Sequence, residues 1–197
     1  MDFEISDEHI FTPSLAAVAN VKKTGKNNCY LLITGDVDRD FEPVCARDSG
    51  AKPDFVIVGD AEETITYDNL NSAFRGLMEG AELIALEKDR YWMANDGLSL
   101  PAAPFVQTLE FASGKTAMVM GKHSASFFAM ALQDIGLRTG EVLMIGDDIY
   151  TGIDGAQQAG MRTVLVSTGK FRENALKSAM IKPAWIIDFI VKLGEIL

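Results

Sequence analysis

The chain has 197 residues, 48% of them hydrophobic and 23% charged, with a formal net charge of −10. That length supports one large domain or two small ones with an adequate core, in an ordinary globular composition. The acidic balance and the absence of any basic run argue against a nucleic-acid surface, and no apolar run approaches the ~18 residues of a membrane span.

Met1-Asp2-Phe3-Glu4 opens the chain without a basic or apolar leader, so nothing indicates secretion. Cys29 and Cys45 are the only cysteines and lack metal-like spacing; a reduced, cytoplasmic compartment is the expectation. Residues 12 to 25 read as a helix, with Thr12 as cap, Pro13 at the first position, apolar Leu15, Val18, Ala19 and Val21, and Gly25 as stop. Strands are expected at 30 to 34 and 55 to 58, each ending in a Gly-Asp pair, then a helix from Tyr67 to Gly80 and a strand at 83 to 86. This alternation is a βαβ pattern and implies parallel pairing. Residues 87 to 102 read as irregular, with a turn at Asn95-Asp96-Gly97, and the domain boundary is expected here. The division is then 1–96 and 97–197.

The second half repeats the alternation. A helix from Phe105 to Ser113 stops at Gly114, and a short strand at Met118 to Met120 leads to Gly121-Lys122. Ser124 caps a helix that Gly136 ends. Val142-Leu143-Met144-Ile145 runs into Gly146-Asp147-Asp148, the pattern of a strand buried on both faces with two acids at its carboxyl end. A small helix near Ala156 to Ala159, strands at 163 to 166 and 184 to 187, and a terminal amphipathic helix complete the chain.

Open α/β sheets bind ligands beyond the carboxyl ends of their strands. The pair Asp147 and Asp148 suits a hard cation such as Mg²⁺, which relieves their mutual repulsion while holding a phosphate; a solvated turn capping the next helix is the plain alternative. Lys122, also at a strand end, suits phosphate neutralisation or is an exposed surface lysine. Asp36-Val37-Asp38 reads either as a two-carboxylate site or, more simply, as a solvated turn. Asp60, with Glu62 and Glu63, lines a cleft or merely complements a helix start. His9 and His123 read as polar surface or packing residues. Gly114-Lys115-Thr116 ends like a phosphate-binding loop, but Leu109 stands where that pattern needs glycine.

Taken in order, Gly121-Lys122, Gly146-Asp147-Asp148, Gly155-Ala156-Gln157, Gly160-Met161 and Thr168-Gly169-Lys170-Phe171 resemble the haloacid dehalogenase (HAD) superfamily of phosphatases. The nearest subgroup carries a large α/β cap, and Thr66 to Asn71 and Arg90 to Leu98 resemble that cap and its exit. The resemblance implies an α/β fold with the C-terminal part of a Rossmann-like HAD core and an α/β cap domain. It also implies Mg²⁺-dependent hydrolysis of a phosphoric ester or pyrophosphate through an aspartyl-phosphate. Lys122 matches the family lysine and Asp148 the acid beside the metal ligand, both as candidate catalytic residues, and Asp147 matches a metal-binding acid; Asp60 and Lys122 are the candidate substrate-binding residues.

Some positions depart from the family pattern. The usual strand with its Asp-x-Asp nucleophile motif is not matched, and Asp36-Val37-Asp38 lies in the cap-like half with Arg39-Asp40 where Gly-Thr is usual. Gly152 stands where many members carry an acid near the metal, Asp154 where they carry glycine, and His123 and Ala125 replace two prolines usual after the lysine. Without the first strand, the Val142 to Ile145 strand loses a neighbour and becomes an apolar edge. The expectation is therefore a phosphatase lineage acting on a small phosphorylated substrate. Its alternative is a catalytically silent module that binds a phosphorylated ligand or a protein, in which a homodimer covers the open edge.

Overall fold

The computed structural model describes residues 5–6, 9–46, 51–94, 97–122 and 124–196. The chain divides into two compact units, residues 1–121 and 122–197. The expected turn at Asn95-Asp96 and the reading of His123 lie outside the described residues.

The first unit is built on a parallel sheet, β1 (Cys29–Leu32), β2 (Phe55–Val58), β3 (Glu82–Ala85) and β6 (Met118–Val119), in the spatial order β1-β2-β3-β6. Each apolar run ends where glycine or a charged residue interrupts it. The helices form where the spacing predicts. α1 (Pro13–Thr24) starts with the Thr12 hydroxyl accepting the Leu15 N–H and stops at Gly25, whose φ of 72° is cheap only for glycine. α3 (Tyr67–Met78) is capped by Thr66, whose side chain accepts the Asn69 N–H. α3 and α4 (Ala103–Ser113) cover one sheet face, where Val56, Val58, Ala73, Leu77, Leu83, Val106 and Leu109 form a continuous core. Phe55 and Ile57 point to the opposite face and are also fully buried, so β2 is enclosed on both sides.

Three findings in this unit differ from the sequence reading. Residues 92–94 and 97–99 are not irregular: they form β4 (Trp92–Ala94) and β5 (Gly97–Ser99), which pair antiparallel and are each too short to show a period in sequence. Asp36-Val37-Asp38 is not a plain turn. It opens the short helix α2 (Val37–Phe41), where Asp36 pairs with Arg39 at 3.1 Å. Cys29 and Cys45, read as free thiols, are joined in a disulfide with Cα atoms 5.4 Å apart. The bridge pairing Asn28 with Ala46 lays those two segments side by side, which a spacing of 16 residues does not reveal. In addition, compactness groups residues 97–121 with the first unit. β6 adds to β3 through Ile84–Met118 and Ala85–Val119, and the Lys88 ammonium lies 2.9 Å from the Glu110 carboxylate. The stretch 97–121 therefore belongs with the first unit.

The second unit is a three-stranded parallel sheet in the order β7 (Leu143–Gly146), β8 (Arg162–Val166), β9 (Trp185–Ile187). α5 (Ala125–Ile135) begins at Ser124 and ends at Gly136, as predicted, and it packs on α6 (Asp154–Gln158). A π-helical turn at Ile149–Ile153 joins β7 to α6. α7 (Glu173–Ser178), which the sequence did not announce, follows β8. The terminal segment is a 3₁₀ turn at Ile190–Glu195 instead of an amphipathic α-helix. Leu193 and Ile196 pack on the sheet with Val164, Val166 and Ile187. Whereas β8 is buried from Thr163 to Val166, every residue of β7 is only half-buried. Among the described residues β7 has a strand on one side alone, so the expected two-sided burial is not what its apolar sequence delivers.

Candidate functional site

The second unit assembles its polar groups at the carboxyl ends of β7 and β8. Asp147 and Asp148 follow Gly146 directly, and both are half-buried. Asp148 does what a helix cap does, its Oδ1 accepting the Tyr150 N–H at 3.0 Å. Its Oδ2 lies 3.6 Å from the Lys170 ammonium. Asp147 is held from the next strand's loop, its Oδ2 accepting the Lys170 backbone N–H at 2.9 Å. One carboxylate thus starts a turn, as the plain reading has it, and the other is oriented by a neighbouring loop.

That loop, Thr168-Gly169-Lys170-Phe171, is itself built firmly. The Phe171 N–H donates to the Thr168 carbonyl at 2.9 Å, and the Phe171 ring packs with Ile149, Ile153 and Leu165. The Arg172 guanidinium donates to the carbonyls of Gly169 at 3.0 Å and Phe171 at 2.7 Å. Gly169 has a φ of 54°, and a Cβ on it would sit 2.1 Å from Asp147 Oδ2. Glycine is required there twice over, by backbone conformation and by the approach of the carboxylate.

Lys122 enters the same unit through a second glycine. A Cβ on Gly155 would lie 2.1 Å from the Lys122 carbonyl oxygen and 2.9 Å from the Phe128 ring. The bare backbone of Gly155 therefore lets the segment carrying Lys122 seat against the start of α6. The Lys122 side chain is exposed. Asp60 lies in the first unit at the end of β2, with its side chain exposed and its carbonyl accepting both the N–H and the hydroxyl of Thr34. Lys122, Asp147 and Asp148 thus share one unit, and Asp60 belongs to the other. Lys170 and Arg172 escaped the sequence reading as individual residues. The rule that singled out Lys122, a lysine just past a strand, applies equally to Lys170 past Val166.

The donor set at Asp147 and Asp148 is all oxygen and doubly anionic, which fits a hard cation such as Mg²⁺. Among the described residues no third acid, histidine or cysteine joins them. A cation held there would complete its shell with water and phosphate oxygens, as Mg²⁺ commonly does.

Comparison with known proteins agrees with this geometry. The HAD-hydrolase-like family model matches residues 119–193. The phospholysine phosphohistidine inorganic pyrophosphate phosphatase of Homo sapiens is 37% identical over 199 residues, covering 100% of this chain and 72% of that protein. The haloacid dehalogenase-like hydrolase domain-containing protein 2 of Bos taurus is 42% identical over 172 residues, covering 87% of this chain; the chain spans 64% of that relative's length. Among solved structures, a 4-nitrophenylphosphatase from Thermotoga maritima superposes with a TM-score of 0.88 at 25% identity, covering 97% of this chain and 74% of its own. With that likeness in sequence, running through the Lys122 and Asp147-Asp148 segments, and the same α/β architecture in structure, the chain belongs to the haloacid dehalogenase-like hydrolases.

Proposed function

We propose that this chain carries the cap and the lysine- and acid-bearing part of the core of a Mg²⁺-dependent phosphatase that acts on small phosphorylated substrates. The observation that carries this reading is the oriented acid pair Asp147-Asp148 at the end of β7, in one compact unit with Lys122. The first unit, with Asp60 at a strand end, is the cap that selects the substrate. The names of two relatives, an inorganic pyrophosphate phosphatase and a 4-nitrophenylphosphatase, support phosphoryl chemistry of this class.

In this reading each residue has a limited task. Asp147 presents a fixed carboxylate to the cation, and Asp148 supplies the second negative charge beside it. Lys122 neutralises the phosphoryl oxygens of the substrate, whose charge must be balanced as the phosphorus–oxygen bond breaks. Bound Mg²⁺ supplies the Lewis acidity that polarises the phosphoryl group. The family mechanism also uses an aspartate nucleophile, a role that this reading assigns to none of the described residues.

The test is phosphate release from 4-nitrophenyl phosphate and from pyrophosphate, with and without Mg²⁺, using Asp147→Asn as control. Metal-dependent turnover lost in the variant is the expected result. A chain that is folded by circular dichroism yet shows no turnover would instead be the silent binding module, with its phosphatase character confined to ancestry.

A further inference from the structure

We propose that Gly169 and Lys170 are positioning residues that set the cation affinity of the acid pair, with Lys170 as its resident counter-charge. The inference rests on the reading of Asp147 and Asp148 as the cation-holding acids, and it assigns a separate job to each half of Lys170. The backbone N–H holds Asp147 Oδ2 at 2.9 Å, while the ammonium stands 3.6 Å from Asp148 Oδ2. Two adjacent carboxylates repel each other, and an ammonium at that distance offsets part of the repulsion.

The loop is braced for the purpose. Phe171 is anchored among Ile149, Ile153 and Leu165, and Arg172 ties down two of the loop carbonyls. Phe171 braces the loop through its ring and Arg172 through the loop's carbonyls, so the N–H of residue 170 is aimed whatever side chain that residue carries. Gly169 completes the fit, because its missing Cβ is what lets Asp147 Oδ2 approach the loop backbone. A divalent cation arriving at Asp147 meets a carboxylate already oriented, but also the positive charge of Lys170 nearby. The lysine therefore weakens cation binding electrostatically, and the backbone N–H favours it by preorganisation.

This arrangement separates the two contributions experimentally. Replacing the side chain leaves the N–H intact, whereas a Cβ at 169 displaces the carboxylate and leaves the charge. The probe is Mn²⁺ in place of Mg²⁺, with free metal counted by its solution electron paramagnetic resonance signal. Lys170→Met is expected to bind Mn²⁺ about three- to tenfold more tightly than wild type at low ionic strength. The difference should shrink toward nothing at about 0.5 M salt, where exposed charges are screened within a few ångströms. Lys170→Arg should restore wild-type affinity. Gly169→Ala is expected to weaken binding about tenfold, and Asp147→Asn to remove it.

Wild-type binding that disappears in Asp147→Asn, with Lys170→Met unchanged, weaker or insensitive to salt, would overturn this inference alone. No Mn²⁺ binding by the wild-type chain at tens of millimolar would overturn it together with the cation reading on which it rests. The Lys170 variants decide the matter even where Gly169→Ala fails to fold.

Discussion

β2 and β7 are both four-residue strands dominated by large apolar side chains, yet the structure treats them differently. Phe55-Val56-Ile57-Val58 has a parallel neighbour on each side and is completely buried. Leu143-Met144-Ile145-Gly146 has one neighbour and is half-buried throughout. Composition says that a strand can be buried; sheet order decides whether it is. In the first unit the apolar surface of β2 is spent on a closed core. In the second unit the strand with the less complete packing carries the acid pair, as expected where binding groups need access from outside the sheet.

The comparison is broken or sharpened by truncation at matched positions. Ile57→Ala in β2 should cost about 3–4 kcal/mol of stability in urea unfolding, and Ile145→Ala in β7 about 1 kcal/mol, because half-buried sites lose less contact and collapse more readily. Equal losses would mean that something covers β7 in solution, such as a second copy of the chain.

A second test concerns the disulfide. By closing a loop with a sequence separation of 16, the Cys29–Cys45 bridge should contribute about 3 kcal/mol to the first unit. Cys45→Ser, or reduction of the wild type, should therefore lower the unfolding midpoint of β1 and β2 and leave the Asp147 loop unaffected. Hydrogen exchange resolved along the chain reads both regions at once, and a uniform loss of protection would contradict the independence of the two units.

Next comes the buried ion pair that joins α4 to the end of β3. Burial pushes the Glu110 carboxyl up, but the Lys88 ammonium and the Ala117 N–H outweigh it and hold the group below its ordinary value. A depressed carboxyl stabilises the fold fully above the unfolded-state value near 4.5 and loses that contribution as pH falls through the lower folded value. Glu110→Gln should cost about 2 kcal/mol at neutral pH and flatten the acid limb of the stability profile. An unchanged limb would place the acid sensitivity elsewhere. The smallest expected effect is at a helix start: Thr66→Ala removes the cap of α3 and should cost about 1 kcal/mol, measured by thermal unfolding.

Much of the local structure was legible in the residues. Thr12, Thr66 and Ser124 begin helices and Gly25, Gly114 and Gly136 end them because capping and left-handed backbone are properties of single residues. The strands at 55 to 58 and 163 to 166 were equally plain from their apolar runs. The helices α2 and α7 were missed, being too short to show a helical period.

What the chain by itself determined was therefore the alternation of strand and helix, the parallel pairing that alternation implies, and the segments that place it among HAD-like hydrolases. Tertiary structure decided the rest. It drew residues 97–121 into the first unit, bonded Cys29 to Cys45, left β7 at a sheet edge, and brought Gly169 and Lys170 against Asp147. Each of these depends on segments far apart in sequence meeting in space. Hydrophobic period and capping, which act over a few residues, carry no information about such meetings.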